Sequence, residues 1–148
     1  MNSVKAILSH PIFSGLARAD AEDVARYCEV LILPDGQIIV EQGELSQDMY
    51  ILIKGKLSIR VRDRSGEESE VGTLAKGDIF GEMGVFEDKA RSASIYSVGD
   101  SIVLCIPGEG FHKMVAEGQA AMHILLQHTL KNACNRLRDL DKRLDTLF

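Results

Sequence analysis

Phe80-Gly-Glu-Met-Gly-Val-Phe-Glu-Asp-Lys-Ala-Arg-Ser-Ala-Ser-Ile95 is the stretch around which the rest of the chain is read. Between segments of strand character it packs Gly81, Gly84, the acid Glu82 and the base Arg91 into a short run. Gly81-Glu82-Met83-Gly84 can leave a strand and open a single helical turn. The first backbone N–H groups of such a turn have no intrahelical acceptor, and its end carries partial positive charge. Arg91 follows seven residues after Gly84, at the head of the next strand, close enough to fold a forked and permanently charged guanidinium over the same anion. The spacing predicts a phosphate site. The residues alone also allow a plainer arrangement, with Arg91 paired to Glu87 or Asp88 and Glu82 serving as a helix-end acid.

Outward from this stretch the chain reads as three segments of one domain spanning 1–148. Residues 1–28 form a helical lead-in, with apolar Ile7, Leu8, Phe13, Leu16, Val24 and Tyr27 interrupted by Pro11 and Gly15, and with Asp20 placed to cap the second piece. Residues 29–107 are short β-rich runs punctuated by turn residues: 29–33, 37–40, 49–53, 57–61, 71–74, 93–96 and 101–106. That spacing indicates an antiparallel β-roll or jelly-roll sandwich, a mainly β fold with flanking helices. Lys54-Gly55-Lys56 and Gly99-Asp100 are read as turns within it. From residue 108 to 148 the period is helical, broken at Gly118. There Leu126, Leu130, Ala133, Leu137, Leu140, Leu144 and Leu147 alternate four and three residues apart, the spacing of a coiled-coil seam. This face pairs with a second copy, making a homodimer through the C-terminal helix, or else packs on its own sheet.

Composition narrows the function classes. The chain of 148 residues carries a net charge of −5 with acids and bases interspersed, which gives no broad electrostatic grip on nucleic acid. Cys28, Cys105 and Cys134 are far apart and odd in number, which fits free thiols in a reducing cytoplasm. No window approaches an unbroken apolar span, so a soluble protein is expected. His10, His112, His123 and His128 fall in helical segments, and His123 and His128 are five apart, off the spacing that puts two ligands on one helical face. A cupin-like metalloenzyme is therefore the weaker alternative, and neither a metal nor a catalytic residue is expected.

The element order, Phe80-Gly-Glu82 and Arg91-Ser92 together resemble the cyclic nucleotide-binding domain family, the module of bacterial catabolite activator proteins, protein kinase A regulatory subunits and cyclic-nucleotide-gated channels. The supporting glycines, in Asp35-Gly36, Gln42-Gly43, Lys54-Gly55 and Gly77-Asp78, fall where that family turns its β-roll. The resemblance implies a phosphate cassette at 80–92. In it Arg91 pairs with the exocyclic phosphate oxygens, Glu82 accepts from the ribose 2′-hydroxyl, the backbone near Gly81, Glu82 and Met83 completes the cradle, and Ser92 adds a hydroxyl. It implies base contacts from the C-terminal helix, with Arg136, Leu140 and Asp141 as candidates. The ligand is cyclic AMP or cyclic GMP, with cyclic AMP favoured by the look of the cassette. The expected role is a sensor that repositions its C-terminal helix toward a protein effector. A ligand-independent dimerisation module with a vestigial pocket is the alternative. The winged helix-turn-helix of the activators has no counterpart before Phe148, so direct DNA binding is not expected.

Overall fold

The computed structural model describes residues 1–147. Its elements are α1 (Ser3–Ser9), a 3-10 turn (Pro11–Phe13), α2 (Arg18–Ala25), β1 (Glu29–Leu33), β2 (Ile38–Val40), β3 (Met49–Arg62), β4 (Glu68–Leu74), β5 (Ile79–Phe80), α3 (Glu82–Phe86), β6 (Ser94–Ile106), α4 (Gly108–Ala116) and α5 (Ala120–Leu147). The side chain of Leu147 and all of Phe148, the end of the expected seam and of the expected domain, lie outside the described residues.

Six antiparallel strands form the sheet, in the order β1-β6-β3-β4, with β2 also on β6 and β5 also on β3. The long strands β3 and β6 run through both halves. β6 pairs with β2 near Ile95 and with β1 from Ser101 to Cys105, while β3 pairs with β5 at Tyr50 and Ile51 and with β4 from Leu57 onward. Register shifts between Leu52 and Lys56 bend the β3–β6 ladder where the two halves fold over each other.

Alternation along β3 shows how this generates two cores. Tyr50, Leu52 and Leu57 point into the roll beside Leu33, Val40, Phe80, Ile95 and Val103. Met49, Ile51 and Ile53 point the other way, where the N-terminal helices, Phe111, Met114, Met122 and Leu125 cover them. Because both faces of this half-strand are covered, it reads as an unbroken apolar run instead of an alternating one.

Several sequence expectations are corrected here. Runs 49–53 and 57–61 form one strand, and so do 93–96 and 101–106. Gly55 is a bulge, not a turn: its φ is +100°, and an added Cβ would lie 2.5 Å from Ser101 Oγ and 2.7 Å from the Asp100 carbonyl. Gly55 is thus the site where one strand's backbone rests on its neighbour, a place only glycine fits. Asp20 sits in the first turn of α2 and not at its cap, which is Ala17 with no side-chain hydrogen bond. Asn2 does cap α1, accepting from the Lys5 N–H at 2.8 Å.

Gly118, at φ +68°, ends the segment before α5 as expected. Ala121, Met122 and Leu125 bury the start of α5 against the body, but Leu130, Leu137, Leu140 and Leu144 are 66%, 61%, 52% and 51% exposed. The distal half of the helix therefore does not pack on its own sheet. Among the described residues no helix is long and apolar enough to cross a membrane.

Candidate functional site

Strand β5 delivers the chain to the site. Phe80 is buried and stacks on Tyr50 with ring centroids 5.1 Å apart, which fixes where Gly81 begins. Gly81 then turns the backbone with φ +78° and serves as N-cap of the five-residue α3, whose first residue is Glu82.

Arg91 is fastened at both ends. Its backbone N–H donates to the Glu44 carbonyl at 2.8 Å, and its own carbonyl accepts from the Gly43 N–H at 2.8 Å. The side chain runs back beneath α3. Nη1 donates to the Gly81 carbonyl at 3.1 Å, and Nη2 donates to the Asp48 carbonyl at 2.6 Å and to Ser46 Oγ at 3.3 Å. The two glycines make room for it. A Cβ at Gly84 would lie 2.7 Å from Arg91 Nη1, and one at Gly81 would lie 3.2 Å from the same atom.

Arg91 Nε is buried with no partner. A guanidinium carries five N–H donors. With three committed, the Nε–H and one Nη1 N–H remain, and among the described residues no carboxylate neutralises the charge. The surface pairing of Arg91 with Glu87 or Asp88 is not what the chain adopts: Glu87 pairs with Lys89 at 3.5 Å. A cation set among carbonyls with a donor to spare is a place for an anion, since leaving such a group unpartnered costs more than pairing it gains.

A cavity of about 530 Å³ opens beside this arginine. Its apolar wall comes from the roll interior, with Val40, Ile59, Leu74, Ile79 and Ile95. Its polar rim comes from the cassette: Glu82, Glu87, Lys89, Arg91 and Ser92. The size and the mix of apolar wall with a few convergent polar groups suit a small-molecule ligand. Gly81, Glu82, Met83, Arg91 and Ser92, all singled out from the sequence, line this one cavity. Of the three helix candidates Arg136 lines it too, and its Nη2 lies 3.5 Å from Glu82 Oε1. Leu140 and Asp141, one turn further along α5, are exposed and do not line it.

Sequence reasoning missed Ser46 and Asp48. Asp48 joins two regions: its carbonyl holds Arg91, and its carboxylate accepts from the Gly108 N–H at 3.1 Å at the start of α4. Half of that role is played by a backbone carbonyl, which no residue type advertises.

His10, Cys28 and Cys105 are held away from the site. His10 is buried, with Nε2 2.7 Å from the Gly77 carbonyl and Nδ1 accepting from the Ile12 N–H. Burial pushes the thiols of Cys28 and Cys105 up to about 12, so neither is a nucleophile at neutral pH.

Comparison with known proteins agrees with this fold. The sequence profile of the cyclic nucleotide-binding domain matches residues 30–118. A cyclic AMP receptor protein of Thermus thermophilus is 30% identical over 137 residues, covering 93% of this chain and 62% of that protein. A cAMP-dependent protein kinase regulatory subunit of Blastocladiella emersonii is 32% identical over 89 residues, covering 60% of this chain and 22% of that subunit. The crystal structure of the Thermus thermophilus catabolite activator protein aligns with a TM-score of 0.73 at 30% identity, over 93% of this chain and 62% of that one. A cyclic nucleotide-binding domain from Methylobacillus flagellatus aligns with a TM-score of 0.75 at 14% identity, covering 95% of this chain and 79% of that one, and speaks to the fold alone. This chain thus spans less than two thirds of the length of these curated relatives. From the profile match and the Thermus relative, the chain belongs to the cyclic nucleotide-binding domain family.

Proposed function

We propose that the chain is a non-catalytic cyclic-nucleotide sensor working in a reducing cytoplasm, with cyclic AMP preferred to cyclic GMP. The observation that carries the reading is the buried, unpartnered Nε of Arg91 beside a cavity rimmed by Glu82. The cyclic phosphate would take the free guanidinium donors, Glu82 would accept from the ribose 2′-hydroxyl, and Ser92 would add a hydroxyl donor. The base would lie toward the apolar wall of the roll, with Arg136 at the edge. Cyclic AMP comes first because the receptor protein and the kinase subunit are both named for it.

Asp48 gives this binding a route to the helices. A ligand that draws the Arg91 guanidinium toward its phosphate also loads the Asp48 carbonyl, and the Asp48 carboxylate holds the first residue of α4. The segment from Gly108 to Gly118 would act as the hinge, and α5 as the element a second copy and a protein effector read. In energetic terms the ligand biases one packing of cassette and hinge over another by its differential affinity for the two.

Calorimetry and thermal melting with cyclic AMP and cyclic GMP test the reading. A ligand at a hundred times its Kd stabilises the folded chain by about 2.7 kcal/mol. Neither heat nor a melting shift with either nucleotide at millimolar concentration would make the pocket vestigial and leave an interaction module.

A further inference from the structure

Both ring nitrogens of buried His10 are in use: Nε2 donates to the Gly77 carbonyl at 2.7 Å, and Nδ1 accepts from the Ile12 N–H at 3.2 Å. A protonated imidazole donates at both nitrogens. A proton on Nδ1 would therefore face the Ile12 N–H, a backbone group that cannot turn away, and only the neutral ring makes both bonds. The bond to Gly77 bears on the pocket. Gly77 lies in the turn that opens β5, and Glu82 stands five residues on, where that strand has passed into α3.

Helix α5 reaches the same acid from the other side. It packs on the 3-10 turn that His10 caps, and His128, Asn132 and Arg136 follow at four-residue intervals along one face. Arg136 ends that row on Glu82 at 3.5 Å. His128 begins it, half-buried, with Nε2 3.2 Å from the Asn132 amide nitrogen, which donates to it. The groups facing His128 are His10 from the lead-in, Lys131 from α5 and Glu82 from α3; burial, His10 and Lys131 oppose its charge and Glu82 favours it. In the β4–β5 turn beside Gly77, Lys76 is exposed and the Asp78 carboxylate is turned back onto the Ala75 N–H at 2.8 Å. Glu82 is thus held by two arms, β5 and α5, that meet again at His10 and His128.

We propose that His10 and His128 are positioning residues for the pocket and form a proton-controlled latch between the lead-in and α5. While both rings are neutral, Glu82 stays matched by Arg136. A proton on either ring frees the middle of α5 and leaves Glu82 as an unmatched acid beside the anion site. Protons and a bound cyclic phosphate therefore oppose each other, and binding releases protons. Direct attraction between a bound anion and a histidine would have the opposite sign, so the sign of proton exchange is decisive. The nucleotide half of this linkage rests on the sensor reading; the opening of α5 by protons does not.

Calorimetry at pH 6.5 in two buffers of different ionisation heat tests the sign. The wild-type chain should release protons on binding cyclic AMP, up to about half a proton for each histidine that must be neutral. From pH 7.5 to 5.5 its Kd should rise roughly tenfold, while cyclic AMP itself keeps a single charge. His128→Gln and His10→Asn should each flatten that profile, and the two together should hold Kd within about twofold over the range. The side chain introduced by His10→Asn keeps an acceptor for the Ile12 N–H but does not titrate. His112→Gln, at an exposed position, should leave the wild-type profile. Proton uptake, no net exchange, or a wild-type profile in the double variant overturns the latch. If His10→Asn does not fold, His128→Gln alone decides, and a profile as steep as wild type overturns the proposal. Without nucleotide, hydrogen exchange corrected for intrinsic rates should show amides 128–136 losing protection several-fold from pH 7.5 to 5.5, and less in His128→Gln. Unchanged protection in the wild type overturns the latch. If cyclic AMP gives no heat at either pH, the sensor reading fails, and the exchange measurement still decides the latch.

Discussion

Gly84→Ala separates the role of the cassette glycines from helix propensity, because the two push in opposite directions. A methyl added at Gly84 would sit 2.7 Å from Arg91 Nη1 and 2.7 Å from the Ser46 carbonyl. Both are well inside ordinary van der Waals contact; the guanidinium can move away from the first, while the second has to be relieved by a backbone shift of α3 or of the loop before β3. Moving the guanidinium strains the Nη1 bond to Gly81 and the Nη2 bonds to Asp48 and Ser46, and it shifts the free Nε donor. A charge-assisted hydrogen bond is worth about 1.5–3 kcal/mol, so misplacing the donor should weaken cyclic AMP binding roughly tenfold to a hundredfold. The same substitution lies inside α3, where alanine is favoured over glycine by about 0.5–1 kcal/mol; this offsets part of the cost of the contact with the Ser46 carbonyl, so the ligand-free melting temperature should fall by only a few degrees. Calorimetry and melting on wild type, Gly84→Ala and the control Gly15→Ala, which meets nothing within 4 Å, read both effects. Wild-type affinity in Gly84→Ala would refute the placement of Arg91 as the phosphate ligand.

Glu82→Gln should weaken binding of cyclic AMP by roughly tenfold while leaving 2′-deoxy cyclic AMP nearly unaffected, because only the ribonucleotide offers the hydroxyl that the carboxylate accepts; competition binding with the two ligands checks this. 5′-AMP, a dianion at neutral pH, should bind at least about tenfold more weakly than cyclic AMP in the same assay. Of the three thiols, exposed Cys134 should alkylate first on the native protein; Cys28 and Cys105, pushed up to about 12 by burial, should react on the order of a thousandfold more slowly than ordinary cysteines, as peptide mass spectrometry after timed labelling would show. Burial, with help from His10 and Lys131 and against Glu82, holds His128 below the usual histidine range. As pH falls below that range the unfolded chain takes up a proton there before the folded one does, so stability drops on acidification. Melting curves at pH 7.5 and 5.5 should show His128→Gln losing less stability on acidification than wild type.

The sequence made elements legible where local chemistry decides them and misled where distant contacts do. β1 was bounded correctly at Glu29 and Leu33, and the break at Gly118 before α5 was visible because a glycine at positive φ interrupts a strong helical period. Gly55 looks like any hairpin glycine, but what makes it a bulge is the approach of Asp100 and Ser101 from another strand. In the site, charged and glycine positions could be read from their spacing along 80–92. Ser46 and Asp48 could not, since their hold on Arg91 uses a hydroxyl and a backbone carbonyl brought in by the loop before β3. The helix candidates divide for a similar reason: Arg136, Leu140 and Asp141 are near one another in sequence, and only the docking of α5 against the cassette determines which of them meets Glu82.

An acidic chain can offer an anion a site only where its charge is arranged locally, and the side chains around the cavity are arranged in that way. Lys89, Arg91 and Arg136 supply three positive charges to the lining, and Glu82 and Glu87 supply two negative ones. Glu87 is matched by Lys89 and Glu82 by Arg136, which leaves the guanidinium of Arg91 as the one lining charge without a counter-ion among the described residues. A 3′,5′-cyclic phosphate diester carries a single negative charge and so completes the set, whereas a terminal phosphate monoester brings a second charge that nothing in the lining compensates. Arg136 is also the member of this balance that sits on α5. Moving the helix away would leave Glu82 as an uncompensated negative charge at the rim, repelling the anion that Arg91 attracts. If the pocket holds a cyclic phosphate as proposed, the position of α5 would tune its charge, a physical reason for ligand and helix to act on each other that does not depend on the shape of the cavity.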